Sequence, residues 1–199
     1  MAIEYHLRKH EDKGQFIPQG SGERLMFITH GTSKYTEREE VKMVLDGGCS
    51  WVQLRMKGNM NIFTAREIGQ LINEHTNKCI YCINDNARIA LRCGANAVHL
   101  GKEDISVSAA WEMAKEQLFP GETFYIGATA NTFEDIEHAV GQGASYIGLG
   151  PFRYTETKKK LSPVLGLEGY RKIVQQCKEA GYKIPIFAIG GICLEDVAR

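Results

Sequence analysis

Gly47-Gly48-Cys49-Ser50-Trp51-Val52-Gln53-Leu54-Arg55 opens on a glycine pair, runs through an apolar stretch and ends on a cation. The phrase returns as Cys93-Gly94-Ala95-Asn96-Ala97-Val98-His99-Leu100-Gly101, and again as Gln142-Gly143-Ala144-Ser145-Tyr146-Ile147-Gly148-Leu149-Gly150. Each copy follows a segment that reads as a helix: Glu37–Asp46, Asn86–Arg92 and Thr132–Val140. A glycine after a helix is a C-terminal cap, and the short β-rich run behind it is a strand. The repeat therefore predicts helix, cap, strand, three times over.

Between these copies lie further short apolar runs, Leu25–Thr29, Cys79–Ile83, Phe124–Ala128 and Ile184–Ile189. Helical stretches at Ile62–Thr76, Ser106–Leu118 and Leu167–Ala180 separate them. Strands too apolar to alternate are expected of parallel strands covered by helices. Strand starts fall near residues 25, 51, 79, 96, 124, 145 and 184. Units of βα at a spacing of roughly 25 residues predict an α/β fold of the (β/α)8 TIM-barrel type. On this count the eighth βα unit is expected to be missing. The expected organisation is an N-terminal arm at 1–24 followed by a C-terminally incomplete barrel domain at 25–199.

Composition sets the outer limits. The chain has 199 residues, 43% of them hydrophobic, and 24 basic side chains balance 24 acidic ones. That apolar fraction excludes disorder and collagen, and zero net charge argues against a nucleic-acid-binding module. The polar start carries no apolar core of a secretory signal, and no apolar run of about 18 residues predicts a membrane span. The six cysteines read as free thiols of a reducing cytosol, so the expected location is cytoplasmic. Cys79 and Cys82 stand three apart in a strand, on opposite faces, with no second pair to complete a zinc site.

In such barrels chemistry gathers at the C-terminal ends of the strands. The second strand ends Gln53-Leu54-Arg55-Met56-Lys57, where alternation puts Gln53, Arg55 and Lys57 on one side. One amide and two cations make an anion site, and Arg55 adds bidentate geometry for phosphate oxygens; a solvated loop edge is the plainer reading. The third strand ends Ile83-Asn84-Asp85 and the fourth runs His99-Leu100-Gly101-Lys102-Glu103-Asp104. Asp85 and Asp104 are suited to one hard cation such as Mg²⁺, although each could instead cap the helix that follows it. The sixth strand leads into Thr155-Glu156-Thr157-Lys158, hydroxyls beside cations, which suits phosphate as well as it suits a plain basic loop. After the seventh strand, Gly190-Gly191 allows backbone N–H groups to approach an anion. One sector fits a Mg²⁺-pyrophosphate and the other a monophosphate, which implies group transfer with departure of pyrophosphate.

Gln-Leu-Arg-x-Lys, Ile-Asn-Asp, Val-His-Leu-Gly-x-x-Asp, Ile-Gly-Ala-Thr, Gly-Leu-Gly-Pro-Phe-x-x-Thr-x-Thr-Lys and Ala-Ile-Gly-Gly-Ile occur in this order. Together they resemble the thiamine phosphate synthase (thiamine phosphate pyrophosphorylase) family across residues 25–199. The resemblance implies a Mg²⁺-dependent transfer of hydroxymethylpyrimidine from its diphosphate to thiazole phosphate, giving thiamine phosphate and pyrophosphate. It implies that Gln53, Arg55, Lys57, Asn84 and Lys158 hold the pyrimidine and its diphosphate, with Thr129 also reaching the diphosphate. It further implies Mg²⁺ at Asp85 and Asp104, and the thiazole phosphate at Thr155, Thr157 and Gly191. Arg55, Lys57 and Lys158 would carry the charge of catalysis.

Three departures from the family pattern stand out: Lys102 where Gln is common, Asn131 where His is frequent, and the missing strand-eight segment. Loss of that His argues against the related thiazole tautomerases, and the missing segment keeps a non-catalytic ligand-binding homologue as an alternative. Expected partners are the two small-molecule substrates, without nucleic acid or membrane; a homo-oligomer is left open.

Overall fold

The computed structural model describes residues 25–56, 58, 60–76, 78–154 and 163–196. Strands and helices alternate as β1 (Phe27–Ile28), α1 (Glu37–Asp46), β2 (Trp51–Leu54), α2 (Ile62–His75), β3 (Ile80–Asn84), α3 (Ala87–Cys93) and β4 (Ala97–Leu100). They continue as α4 (Val107–Gln117), β5 (Tyr125–Ala130), α5 (Phe133–Gly141), β6 (Tyr146–Leu149), α6 (Gly166–Glu179) and β7 (Ile186–Ala188), closing on a 3₁₀ turn at Leu194–Asp196. Strand order in the sheet is sequence order. The β1–β2, β2–β3, β3–β4 and β6–β7 pairs are all parallel, as the apolar strands predicted. The arm expected at 1–24 lies outside the described residues.

The chain groups into two compact units, divided in sequence at Gly127/Ala128. The earlier unit holds β1 to β4, α1 to α4 and the start of β5. The later one holds the rest of β5 with α5, β6, α6 and β7.

Repeated glycines explain how each helix hands over to its strand. Gly48, Gly94 and Gly143, the matched positions of the three phrases, have φ of +83°, +73° and +88°. In each case the next N–H reaches back five residues: Cys49 to Val44 O at 2.9 Å, Ala95 to Ala90 O at 3.0 Å and Ala144 to Ala139 O at 2.9 Å. This is the left-handed helix ending that glycine adopts without a Cβ penalty. A fourth instance, Gly181 at φ +73° with Tyr182 N–H on Cys177 O, lacks the rest of the phrase and so escapes the repeat. A Cβ at Gly94 would meet open space. Gly94→Ala should therefore cost only the left-handed backbone, about 1–2 kcal/mol of unfolding free energy in a urea titration, with unchanged circular dichroism.

Helix starts are equally local. Thr36, Asn61, Asn86, Ser106 and Thr132 each accept the N–H three residues on, and at Thr36 and Thr132 an acidic side chain bonds back to complete a capping box.

Packing follows the helical period. Val41 and Leu45 of α1, Ala65, Ile68 and Ile72 of α2, and Val107, Ala110 and Ala114 of α4 recur every three or four residues and are all buried. Gly69 on α2 leaves room for the Tyr81 ring, whose hydroxyl donates to Ala65 O at 2.8 Å. In the later unit Tyr146 packs edge-on against Phe187 at 5.6 Å. There the Tyr170 hydroxyl donates to Leu149 O and accepts the Ile189 N–H, pinning β6 to β7; burial pushes this phenol up to about 12. Cys79 and Cys82 are buried, and desolvation raises the Cys79 thiol to about 12. No helix among the described residues is long and apolar enough to cross a membrane.

Candidate active site

Polar side chains converge where β2, β3 and β4 end. A cavity of about 360 Å³ there is lined by Met56, Gly58, Met60, Asn84, Asp85, Asn86 and Asp104. Asp85, one of these lining residues, has an unusual backbone. Its φ is +66°, the only left-handed non-glycine among the described residues, and the Asn86 N–H bonds to Asn84 O at 2.9 Å across it. A three-residue turn of this hand is rare and strained. The Asp85 N–H is in turn held by His99 O at 2.7 Å, so the neighbouring strand keeps the turn in place.

Asp104 belongs to a tight turn behind β4, where its Oδ2 accepts the Gly101 N–H at 2.6 Å. A Cβ placed on Gly101 would lie 3.1 Å from Asp104 Oδ2 and 4.0 Å from Asp85 Oδ1. Both carboxylates thus lie beside Gly101, on the side where an added Cβ would crowd Asp104. Neither serves as a helix cap, the alternative that sequence alone allowed. Those caps are Asn86 for α3 and Ser106 for α4, because the capping residue must directly precede the first helical one. Two convergent carboxylates, with no cluster of three or more His, Cys, Asp or Glu among the described residues, fit a hard cation that completes its shell with water and phosphate oxygens.

The other predicted positions divide clearly. Asn84 lines the cavity with the two aspartates. Gln53 does not: it is buried within β2, and its Nε2 contacts Met26 Sδ at 3.2 Å. Arg55, half-buried, follows the last residue of β2 and immediately precedes Met56 of the lining. Lys57, Thr155, Thr157 and Lys158 lie outside the described residues.

The later unit carries Thr129, Gly190 and Gly191. Thr129 is half-buried on β5. Gly190 and Gly191 have φ of +84° and +72° and meet the loop that follows β6. A Cβ on Gly190 would sit 2.8 Å from Pro151 Cβ, and one on Gly191 would sit 2.8 Å from Arg153 Cβ. The Phe152 and Arg153 N–H groups donate to Ile189 O and Gly190 O at 2.9 Å each. The glycine pair is thus already required by the close approach of two loops, whatever anion it also receives.

Three polar groups near these strand ends carry no motif in the sequence. Thr29 is 1% exposed, and its hydroxyl bonds to the backbone of Arg55. Glu40, only 7% exposed, accepts the His30 and Gly31 N–H groups at 2.9 and 3.2 Å. Arg153 donates to Gly191 O at 3.1 Å and forms a two-armed pair with Asp196, whose carboxyl it holds well below the usual range. Thr29 ends an apolar run and Glu40 stands among exposed glutamates, so neither carries a signal in sequence. Asn131, the departure noted above, donates its side-chain amide to Gly150 O and thereby ties the exit of β5 to that of β6.

With this geometry in hand, comparison with known proteins is specific. A family model described as thiamine monophosphate synthase matches residues 25–199. A thiamine-phosphate synthase of Bacteroides fragilis is 45% identical over 178 residues, covering 87% of this chain and 82% of that protein. One from Pyrococcus horikoshii is 37% identical over 176 residues, covering 87% and 78%. Among solved structures, a thiamine phosphate pyrophosphorylase from Pyrococcus furiosus aligns with a TM-score of 0.68 at 32% identity, covering 87% of this chain and 78% of that one.

Proposed function

The chain belongs to the thiamine monophosphate synthase family, and from that premise we infer that it transfers hydroxymethylpyrimidine from its diphosphate to thiazole phosphate, releasing pyrophosphate. The observation that carries this reading is the convergence of Asp85 and Asp104 beside Asn84 in one cavity at the strand ends. A cavity rimmed by two carboxylates repels a bare diphosphate, and it welcomes one that arrives with a divalent cation. Asp85 and Asp104 are the residues that would hold Mg²⁺, and the chemistry Mg²⁺ supplies when bound is neutralisation of the diphosphate oxygens.

The chain's own residues then divide the work. Arg55, Lys57 and Lys158 take up the charge that grows on the departing pyrophosphate as the CH₂–O bond ionises. The electron-rich aminopyrimidine stabilises the resulting cation by resonance. Asn84, Gln53 and Thr129 orient the pyrimidine and its diphosphate, while Thr155, Thr157, Gly190 and Gly191 receive the thiazole phosphate. The thiazole nitrogen attacks the methylene carbon, and positioning contributes more than any general base. Asn131 offers no titratable group at the position where tautomerase relatives carry His, which favours transfer over tautomerisation.

We read the seven strands as strands of a (β/α)8 barrel. β1 and β7, which end the sheet order, are half-buried to exposed, whereas β2, β4 and β6 are buried throughout, as strands with neighbours on both sides should be. The deciding experiment incubates the purified chain with both substrates and Mg²⁺ and follows pyrophosphate. Release that requires all three components is expected. Ligand binding without pyrophosphate release would instead support a non-catalytic homologue.

A further inference from the structure

We propose that Thr29, anchored by Glu40, is a positioning residue for the diphosphate end of the site, fixing the root of Arg55 through its buried hydroxyl. The inference rests on the reading of Arg55 as a diphosphate-binding cation.

Thr29 stands where the β1–β2 ladder ends. Phe27 pairs with Val52 and Ile28 with Gln53, and the Thr29 N–H donates to Gln53 O at 3.0 Å. In a parallel ladder that continued, the Arg55 N–H would next donate to the backbone carbonyl of Thr29. It donates instead to Thr29 Oγ1, at 2.8 Å, and the same hydroxyl donates to Arg55 O at 2.7 Å. One side chain therefore serves both backbone polar groups of Arg55, using one donor and one acceptor position of a hydroxyl. Because Thr29 is only 1% exposed, water does not readily take its place.

The hydroxyl is itself held from the far side. The two residues after Thr29 give their N–H groups, His30 at 2.9 Å and Gly31 at 3.2 Å, to a single oxygen, Glu40 Oε2. A buried carboxylate accepting two N–H groups is a strong, charge-assisted anchor. The chain is thus fixed before Thr29 by the ladder and after it by Glu40, and the hydroxyl between them becomes a rigid reference point. β2 leaves the sheet at Arg55 with its backbone direction set by that point. A guanidinium that must meet phosphate oxygens within tenths of an ångström gains from a root that does not move.

A purely architectural threonine would affect stability alone, so the test reads anion binding. Inorganic pyrophosphate with Mg²⁺ is titrated calorimetrically into the full chain, its Thr29→Val, Thr29→Ser, Glu40→Gln and Arg55→Ala variants, and the Thr29→Val/Arg55→Ala double variant. Thermal unfolding is recorded for each. Thr29→Val, which keeps shape and loses the hydroxyl, should weaken pyrophosphate binding about tenfold, and Thr29→Ser should restore most of it. In the Arg55→Ala background the valine substitution should have no further effect, since there is no guanidinium left to position. Glu40→Gln should give a several-fold loss in the same direction, and it decides the matter if Thr29→Val does not fold. Pyrophosphate binding within twofold of the parent in both Thr29→Val and Glu40→Gln overturns the proposal, as does an equal loss in the presence and absence of Arg55. An Arg55→Ala variant that binds pyrophosphate like the parent overturns the underlying reading of Arg55 instead.

Discussion

Arg55→Ala is expected to lower turnover by about 10²–10³-fold while the protein stays folded. On the proposed reading, Arg55 meets the charge that accumulates as pyrophosphate departs, an interaction that would be stronger in the transition state than in the bound substrate. The fold should survive because the side chain starts one residue beyond β2, and because the Thr29 hydroxyl bonds to the backbone of Arg55 and not to its guanidinium. Arg55→Lys should fall between the two. It keeps the charge but loses the planar fork that meets two phosphate oxygens at once. The measurement is steady-state pyrophosphate release alongside a thermal melt. Near-normal turnover in Arg55→Ala would sink the diphosphate assignment, and a collapsed melt would transfer the residue from chemistry to folding.

Local signals made most of the architecture legible. Where the repeated phrase places a glycine, at 48, 94 and 143, the backbone is left-handed, and all six helices lie within about a residue of their expected bounds. These features depend on contacts a few residues apart, and sequence records such contacts directly. The convergence of Asp85 with Asp104 was legible for a similar reason: in a βα repeat, consecutive strand ends are neighbours. What stayed hidden depends on distant partners. The Thr29 hydroxyl meets a backbone 26 residues away, and Arg153 reaches Asp196 across 43. Gln53 belongs with these: alternation puts it on one face of β2, but what its side chain meets, Met26, lies 27 residues away in sequence.

Asp85 allows charge and backbone to be separated, because the residue that best relieves its conformation also removes its carboxylate. At φ +66° an L-residue carries about 1–2 kcal/mol of steric cost, which glycine does not. Glycine in turn loses more freedom on folding, by about 0.5–1 kcal/mol. Asp85→Gly should therefore unfold at nearly the parent's urea midpoint or slightly above it, its three-residue turn still held by Asn84 O and His99 O. If Asp85 and Asp104 hold the cation as proposed, turnover should nevertheless fall by about 10²-fold or more, since a single carboxylate, Asp104, would remain. Asp85→Asn should lose turnover similarly, although asparagine tolerates the left-handed region well and keeps the side-chain shape. A folded, inactive pair of variants assigns the strained turn to function rather than to stability. If Asp85→Gly instead unfolds several kcal/mol more easily than the parent, the carboxylate is holding the turn together. If both variants keep their turnover and their Mg²⁺ dependence, the cation is held elsewhere.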